Sequence, residues 1–142
     1  MVIDVPQLDP DTEFISEQPS VLIIDDDSDQ ADVLSFRLDG QGFNTIVANT
    51  GSEGISRARQ RRPNLIVLDL RLPDVSGFEV CQQLSDDPDT CNIPVIIVSG
   101  MERPDIIRQA RLAGSQYYVR KPYDPNALLV LIQNAVQDAT DW

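Results

Sequence analysis

The chain has 142 residues, 42% of them hydrophobic and 24% charged, which is enough apolar material for one domain with its own core. Eleven basic against 23 acidic residues give a formal charge of −12, which argues against direct binding to nucleic acid or an anionic membrane and suits divalent cations and basic partners. The chain contains no histidine, which excludes histidine acid–base catalysis, histidine metal ligands and a phosphohistidine of its own.

The first 20 residues carry five acidic side chains, three prolines and no basic residue. This composition predicts a flexible acidic extension over 1–20, ahead of one domain over 21–142. The start of the chain lacks the basic and then apolar pattern of a signal peptide, and no apolar run approaches the roughly 18 residues of a membrane helix. We therefore expect a cytoplasmic protein. Cys81 and Cys91 lack metal-ligand spacing and are expected to be reduced thiols.

From residue 21 onward, apolar runs typical of buried strands alternate with amphipathic segments typical of helices. Strands are predicted, in chain order, at 21–25, 43–48, 65–69, 94–99 and 117–119. The helices that follow them are expected to begin near Asp29, at the capping boxes Thr50–Glu53 and Ser76–Glu79, at Pro104 and at Asp124–Pro125. The first four should end near Gly40 or Gly42, at Pro63, near Leu84, and at Ala113 before Gly114. Five such units predict an α/β fold, a doubly wound parallel sheet with helices on both faces.

Polar side chains gather where the predicted strands end. The first strand ends in Asp25 and Asp26, the third in Asp69 and the fourth in Ser99, and the fifth leads to Lys121. In a doubly wound sheet, ligands bind outside the carboxyl ends of the strands, where the strand order reverses. Three carboxylates, a hydroxyl and an ammonium are therefore expected at one edge of the sheet.

The consecutive carboxylates Asp25–Asp27 need a physical reason. Two like charges 4 Å apart repel by roughly 1 kcal/mol in water and by about 4 kcal/mol at an effective dielectric near 20. The run is either a solvated surface turn or part of a cation site. Oxygen ligands without histidine indicate Mg²⁺ or Mn²⁺, and a carboxylate beside such an ion can accept a phosphoryl group. A lysine and a serine could then hold the phosphoryl oxygens.

Four segments at these strand ends resemble the response-regulator receiver domain of two-component signalling, of the chemotaxis-regulator type. They are IIDDD ending at Asp27, LDLRLPDVSG at 68–77, VSG at 98–100 and YVRKPY at 118–123. The resemblance covers residues 21 to about 138. It implies a flavodoxin-like five-stranded sheet with strand order 2-1-3-4-5.

The resemblance also implies a role for each site residue. Asp69 would be the phosphoacceptor, and Asp25, Asp26, Asp69 and the backbone carbonyl of Arg71 would bind Mg²⁺ or Mn²⁺. Lys121 and Ser99 would bind phosphoryl oxygens, and Tyr118 would be the aromatic switch coupled to Ser99, with Tyr117 as the alternative mobile ring. Phosphoryl access and loop geometry would depend on Gly100, Pro73, Gly77 and Pro122, with a cis Lys121–Pro122 peptide. Arg71 departs from the family pattern with a long cationic side chain, expected to pair with Asp27 or to screen the attacking water.

The function implied is a signalling module, not an enzyme. A histidine kinase or phosphotransfer protein would phosphorylate Asp69, and the face of helix four, strand five and helix five would then change its partner. That partner could be a downstream protein, an attached output domain or a second copy in a phosphorylation-dependent homodimer. Two other functions stay open: a Mg²⁺-dependent phosphohydrolase of the haloacid-dehalogenase type, which would need a second aspartate where Arg71 stands, and a receiver-like binding module that is not phosphorylated. A stand-alone protein and a part of a larger regulator or hybrid kinase are both compatible with the sequence.

Overall fold

The computed structural model describes residues 18–140, in which five strands and five helices alternate along the chain. The strands are β1 Ser20–Ile24, β2 Asn44–Ala48, β3 Leu65–Asp69, β4 Val95–Ser99 and β5 Tyr117–Arg120. The helices are α1 Ser28–Gly40, α2 Gly51–Arg61, α3 Gly77–Asp86, α4 Ile106–Leu112 and α5 Pro125–Thr140. The predicted α/β architecture is confirmed, and residues 1–17 of the predicted acidic extension lie outside the described residues.

The sheet is entirely parallel, with strand order β2-β1-β3-β4-β5. The chain leaves β1 towards one edge of the sheet to form β2 and then returns to form β3 on the other side of β1. The strand order therefore reverses between β1 and β3, which is where a doubly wound sheet binds its ligands.

Helices cover both faces of the sheet because side chains alternate along each strand. Leu22 and Ile24 of β1 face a core with α2, α3 and α4, whereas Val21 and Ile23 face a core with α1 and α5. The central strands are buried on both faces, which explains why their sequences are continuous apolar runs. None of the helices within residues 18–140 has the length and apolar character needed to cross a membrane.

Several boundaries differ from the sequence prediction by one or two residues, and two of these differences have a clear physical reason. β1 begins at Ser20, one residue early, because Asn64 accepts a hydrogen bond from the Ser20 N–H (2.8 Å) and donates its own N–H to the Ser20 carbonyl (2.8 Å). The prediction that Pro104 opens α4 is wrong. Pro104 and Asp105 form a turn, closed by the Ile106 N–H on the Arg103 carbonyl (3.2 Å), and the helix begins after it.

Both predicted capping boxes form only on their N-cap side. Thr50 accepts the Glu53 N–H of α2 (3.1 Å), but the Glu53 carboxylate accepts the Asn49 N–H (3.0 Å), one residue before the cap. Ser76 accepts the Phe78 N–H of α3 (3.1 Å). The N-caps are therefore at the predicted residues. Neither glutamate, however, accepts the N–H of its N-cap residue as a full capping box requires.

Candidate functional site

The acidic cluster lies at the carboxyl edge of the sheet, where β1 and β3 run side by side. Ile24 is paired with Leu68 in register, so Asp25 and Asp69 follow directly on neighbouring strands. Carboxylate oxygens of Asp25, Asp26 and Asp69 all lie within 4.8 Å of one another. The structure thus brings together the three acids that the sequence placed at one edge.

One ammonium lies against this cluster. Lys121 Nζ donates a hydrogen bond to Asp69 Oδ2 (2.9 Å) and lies 3.8 Å from Asp25 Oδ2. The same ammonium donates to Gln30 Oε1 of α1 (2.9 Å). The Lys121 backbone N–H donates to the Ser99 carbonyl (2.9 Å), which ties the residue to the end of β4, and the Lys121–Pro122 peptide is cis as expected.

Burial and mutual charge shift the pKa values of two of these groups. Desolvation raises the pKa of Asp25 to about 6, although the Asp27 N–H and the Lys121 charge favour its ionised form. Desolvation alone would lower the pKa of Lys121, but the hydrogen bond and charge of Asp69 outweigh it, so this pKa is raised. The ammonium form of Lys121 is therefore favoured, while burial makes the ionised form of Asp25 less favourable.

Ser99 and Gly100 end β4 beside this cluster. The Ser99 side chain is buried, and its Oγ accepts the Met101 N–H (3.0 Å). Asp69 is paired with Val98 in register, so Ser99 lies one residue further along the neighbouring strand. A Cβ added to Gly100 would meet nothing closer than Lys121 Cβ at 3.8 Å, so this position is open above the edge of the sheet.

The two tyrosines of β5 lie on opposite faces of the sheet. Tyr118 packs against the core that contains α4, whereas Tyr117 packs against the core of α1 and α5. The Tyr118 hydroxyl is buried and has no hydrogen-bond partner among the described residues. Tyr118 therefore lies on the side of the sheet that α4 covers, and its unpaired hydroxyl gives the ring no polar anchor.

Hydrogen bonds from two backbone N–H groups hold the loop from β3 to α3. The Arg71 N–H donates to Asp69 Oδ1 (2.9 Å), and the Gly77 N–H donates to the Leu70 carbonyl (2.9 Å). Pro73 lies in the exposed middle of this loop. A Cβ on Gly77 would lie 2.5 Å from Leu70 Cα and 2.6 Å from the Asp69 carbonyl oxygen, so glycine is required for this close approach.

The expected pairing of Arg71 with Asp27 is not found. The Arg71 side chain is exposed and makes no ion pair within the described part of the chain. Asp27 is instead the N-cap of α1, where its Oδ1 accepts the N–H groups of Asp29 (3.1 Å) and Gln30 (3.2 Å). Its carboxylate is committed to the helix end, which explains why it does not turn to Arg71.

Sequence reasoning missed three residues that support the site. Gln30 accepts from Lys121, and Asn49 Nδ2 donates to the Asp25 carbonyl (2.9 Å). Asp74 accepts the N–H groups of Gly51 (2.8 Å) and Ser52 (2.9 Å) at the start of α2, and these two bonds lower its pKa. A signal existed for Gln30, which lies within one helical turn of the acidic run. Asn49 and Asp74 act across loops that only the folded chain brings together.

The residues at this edge fit a hard divalent cation. All side-chain donors of the cluster are carboxylate oxygens, which Mg²⁺ and Mn²⁺ prefer, and they are close enough to share one ion. The cluster contains neither sulfur nor nitrogen ligands, so a softer metal has little to bind.

The family model of the response regulator receiver domain matches residues 21–133. The chain belongs to this family. It is 37% identical over 115 residues to a DNA-binding dual master transcriptional regulator, RpaA, of Synechocystis sp., a match that covers 81% of this chain and 48% of RpaA. It is also 32% identical to the polar-differentiation response regulator DivK of Brucella anthropi, covering 84% of this chain and 98% of DivK.

A solved receiver domain has the same fold. The crystal structure of a CheY-like response regulator receiver domain protein from Methanospirillum hungatei matches with a TM-score of 0.82 and 26% identity, over 87% of this chain and 97% of that one. The chain spans about half the length of the first curated relatives it matches, 48% in the case of RpaA. The receiver domain is thus shared with proteins of different total length.

The close approach at Gly77 predicts a specific loss of stability. We expect Gly77→Ala to lower the free energy of unfolding by about 1–3 kcal/mol, because its Cβ would collide with backbone that cannot rotate away. Gly100→Ala is the matched control and should change stability by less than about 0.5 kcal/mol. Urea unfolding measures both variants. Equal effects of the two substitutions would contradict the close approach.

The raised pKa of Asp25 predicts a pH-dependent stability in metal-free buffer. Between about pH 4 and 6 the folded receiver domain holds a proton on Asp25 that the unfolded chain has released, so stability falls as pH rises through this window. Asp25→Asn should raise the free energy of unfolding at pH 7.5 by about 1–2 kcal/mol, because this side chain is only partly buried, and by less at pH 4.5. Asp32→Asn, an exposed change of the same charge on α1, is the control. A gain that does not depend on pH would refute the explanation.

The unpaired Tyr118 hydroxyl predicts a stabilising substitution. Tyr118→Phe removes a buried polar group without a partner and should raise the free energy of unfolding by about 1 kcal/mol. Tyr117→Phe on the opposite face of the sheet is the control, expected to stay within about 0.5 kcal/mol of the unsubstituted protein. Destabilisation by Tyr118→Phe would mean that the hydroxyl finds a partner in solution.

Proposed function

We propose that this receiver domain accepts a phosphoryl group on Asp69 from the phosphohistidine of a partner histidine kinase or phosphotransfer protein. The observation that carries the proposal is the contact of Lys121 Nζ with Asp69 Oδ2 inside the cluster of three carboxylates, at the point where the strand order reverses. In the transfer, a new bond forms between an Asp69 oxygen and phosphorus while the bond from phosphorus to the donor's histidine nitrogen breaks. The donor histidine must lie outside residues 1–142, because these contain no histidine.

Asp69 is held in one orientation for this attack. Its Oδ1 accepts the Arg71 N–H, and its Oδ2 accepts from Lys121, so the rotation of the carboxylate is restricted. Orienting the nucleophile before the reaction lowers the entropic part of the barrier. Lys121 would then pair with a phosphoryl oxygen as a compact positive charge.

Ser99 is proposed to hold a second phosphoryl oxygen. Its Oγ accepts the Met101 N–H through a lone pair, which leaves the hydroxyl proton to be donated. Gly100, the next residue, adds no side chain above the edge of the sheet, so the phosphoryl group has room to approach.

The metal ion proposed for this site is Mg²⁺ or Mn²⁺. Asp25, Asp26 and Asp69 would bind it through carboxylate oxygens, and the Arg71 carbonyl would be a further ligand. When bound, such an ion neutralises charge on the transferring group.

The output is proposed to pass through the face of α4, β5 and α5. Phosphorylation adds roughly two negative charges at the edge of the sheet, and Ser99 and Lys121 would move towards them. Tyr118 packs against the core that contains α4, and Ile107 and Leu112 of α4 are exposed and can contact a partner. The equilibrium would shift only as far as the contacts of the two states differ. The partner would be a downstream protein, an attached output domain or a second copy of the chain.

A phosphohydrolase role finds no support in the site. The residue two positions after Asp69 is Arg71, whose guanidinium offers no proton acceptor and cannot act as the general acid–base that such an enzyme needs. The cytoplasmic location expected from the sequence stays a prediction.

The proposal predicts one phosphoryl group per chain. Incubation with acetyl phosphate and Mg²⁺ should give a single adduct in the intact mass, and EDTA should prevent it. Asp69→Asn should give no adduct, while Asp32→Asn, an exposed control on α1, should be phosphorylated like the unsubstituted protein. An adduct that persists in Asp69→Asn would place the acceptor elsewhere. No adduct on the unsubstituted protein, either from acetyl phosphate or from a phosphorylated histidine donor, would favour the unphosphorylated binding module.

A further inference from the structure

The carboxylate of Asp74 joins the β3–α3 loop to the start of α2. Its Oδ1 accepts the Gly51 N–H (2.8 Å) and its Oδ2 accepts the Ser52 N–H (2.9 Å). These are two of the N–H groups that the first turn of a helix cannot satisfy internally, and the positive end of the helix dipole favours a carboxylate there. Thr50 takes the N–H of Glu53, so the first turn of α2 is shared between its own N-cap and a loop 23 residues further along the chain.

This contact lies in the middle of a loop that is tied at both ends. The Arg71 N–H is held by Asp69 near the start of the loop, and the Gly77 N–H is held by the Leu70 carbonyl at its end. Asp74 fixes the stretch between them. The Arg71 carbonyl therefore belongs to a short segment anchored on one side by the proposed phosphoacceptor and on the other by α2.

The sequence of α2 accommodates the contact. A Cβ on Gly51 would lie 2.7 Å from a methyl group of Val75 and 3.2 Å from Asp74 Oδ1, so a side chain there would push the loop away. The same junction contacts the other acidic loop, because Asn49 Nδ2 donates to the Asp25 carbonyl (2.9 Å). The start of α2 thus contacts both loops that carry proposed metal ligands.

We propose that Asp74 is a positioning residue of the metal site, which holds the Arg71 carbonyl in place for Mg²⁺ through its two hydrogen bonds to α2. This inference rests on the proposed metal-dependent phosphorylation of Asp69. Asp74 itself does not bind the ion. Outer residues that orient a ligand commonly change metal affinity when they are substituted.

The test separates metal affinity from the phosphorylation rate. Calorimetric titration should show that Asp74→Ala weakens Mg²⁺ binding by roughly tenfold. The phosphorylation rate with acetyl phosphate at saturating Mg²⁺ should stay within about twofold of the unsubstituted protein, since the acceptor and Lys121 are unchanged. Asp74→Asn keeps one carbonyl oxygen as an acceptor. Its Mg²⁺ affinity should therefore lie between those of Asp74→Ala and the unsubstituted protein.

Asp89→Ala is the matched control. It removes the same charge, and Asp89 is an exposed acid of the α3–β4 loop, 3.4 Å from Arg62 Nη2 at the other end of α2. A long-range effect of net charge would weaken Mg²⁺ binding equally in both alanine variants, whereas positioning predicts a loss in Asp74→Ala alone. Exchange of the Gly51 and Ser52 amide hydrogens, followed by NMR, should become faster in Asp74→Ala, which reports the lost contact directly.

Two results would overturn the inference. One is equal Mg²⁺ affinity in Asp74→Ala and Asp89→Ala. The other is a fall in the saturated phosphorylation rate at unchanged Mg²⁺ affinity, which would indicate general damage. If Asp74→Ala does not fold, Asp74→Asn is compared with Asp89→Asn by the same criterion. An unsubstituted protein that binds no Mg²⁺ would instead contradict the proposed function itself, so the two failures are distinguishable.

Discussion

The rest of the site depends on the close approach of Asp25 and Asp69 at the ends of neighbouring strands. Parallel pairing of β1 and β3 fixes this separation, because Ile24 and Leu68 lie opposite each other in register. The backbones that carry these two residues cannot separate without disrupting the pairing of β1 with β3. Burial raises the pKa of Asp25, with the charge of Asp69 as a smaller cause, and the Lys121 ammonium, which contacts Asp69 and lies 3.8 Å from Asp25, opposes this shift. A bound cation would offset the remaining cost, which supports the proposed metal site.

Positioning of the surrounding groups follows from the same parallel sheet. The ends of β1, β3, β4 and β5 bring candidate site residues to the same edge, and the loops after β1 and β3 are hydrogen-bonded to the first turn of a helix. Asp27 caps α1, and Thr50 together with Asp74 caps α2. The Asp27 cap is local, whereas Asp74 reaches α2 from a loop 23 residues away, and both bonds restrain the loop that carries the acid. The acidic loops are therefore held by hydrogen bonds at the points where α1 and α2 begin.

The sequence predicted those parts of the fold that depend on local pattern. Buried strands such as Leu65–Asp69 are continuous apolar runs between turn residues, and β3 has the predicted bounds. The strand order was implied by the resemblance to the family, because hydrophobic periodicity predicts strands but not their order in the sheet. The acids and Lys121 could be placed at one edge because topology alone brings strand ends together. Asn49 and Asp74 could not, because they act on other loops through one and two hydrogen bonds, and polar residues in turns are ordinary without such bonds.

The wrong prediction that Pro104 opens α4 also shows the limit of local sequence signals, and it bears on the proposed output. Pro104 can open a helix, yet Asp105 supplies no side-chain cap, and the helix that follows has seven residues. A helix of this length is marginal by itself and depends on packing, which Ile106 and Ala110 provide by burial against the sheet. Tyr118 packs on this same side with its hydroxyl unpaired. The helix with the weakest local support thus lies beside the ring with no polar anchor, whereas α1 and α2 are capped directly against the acidic loops. If phosphorylation of Asp69 moves any element, the least costly one to move is α4, because fewer interactions must be broken there.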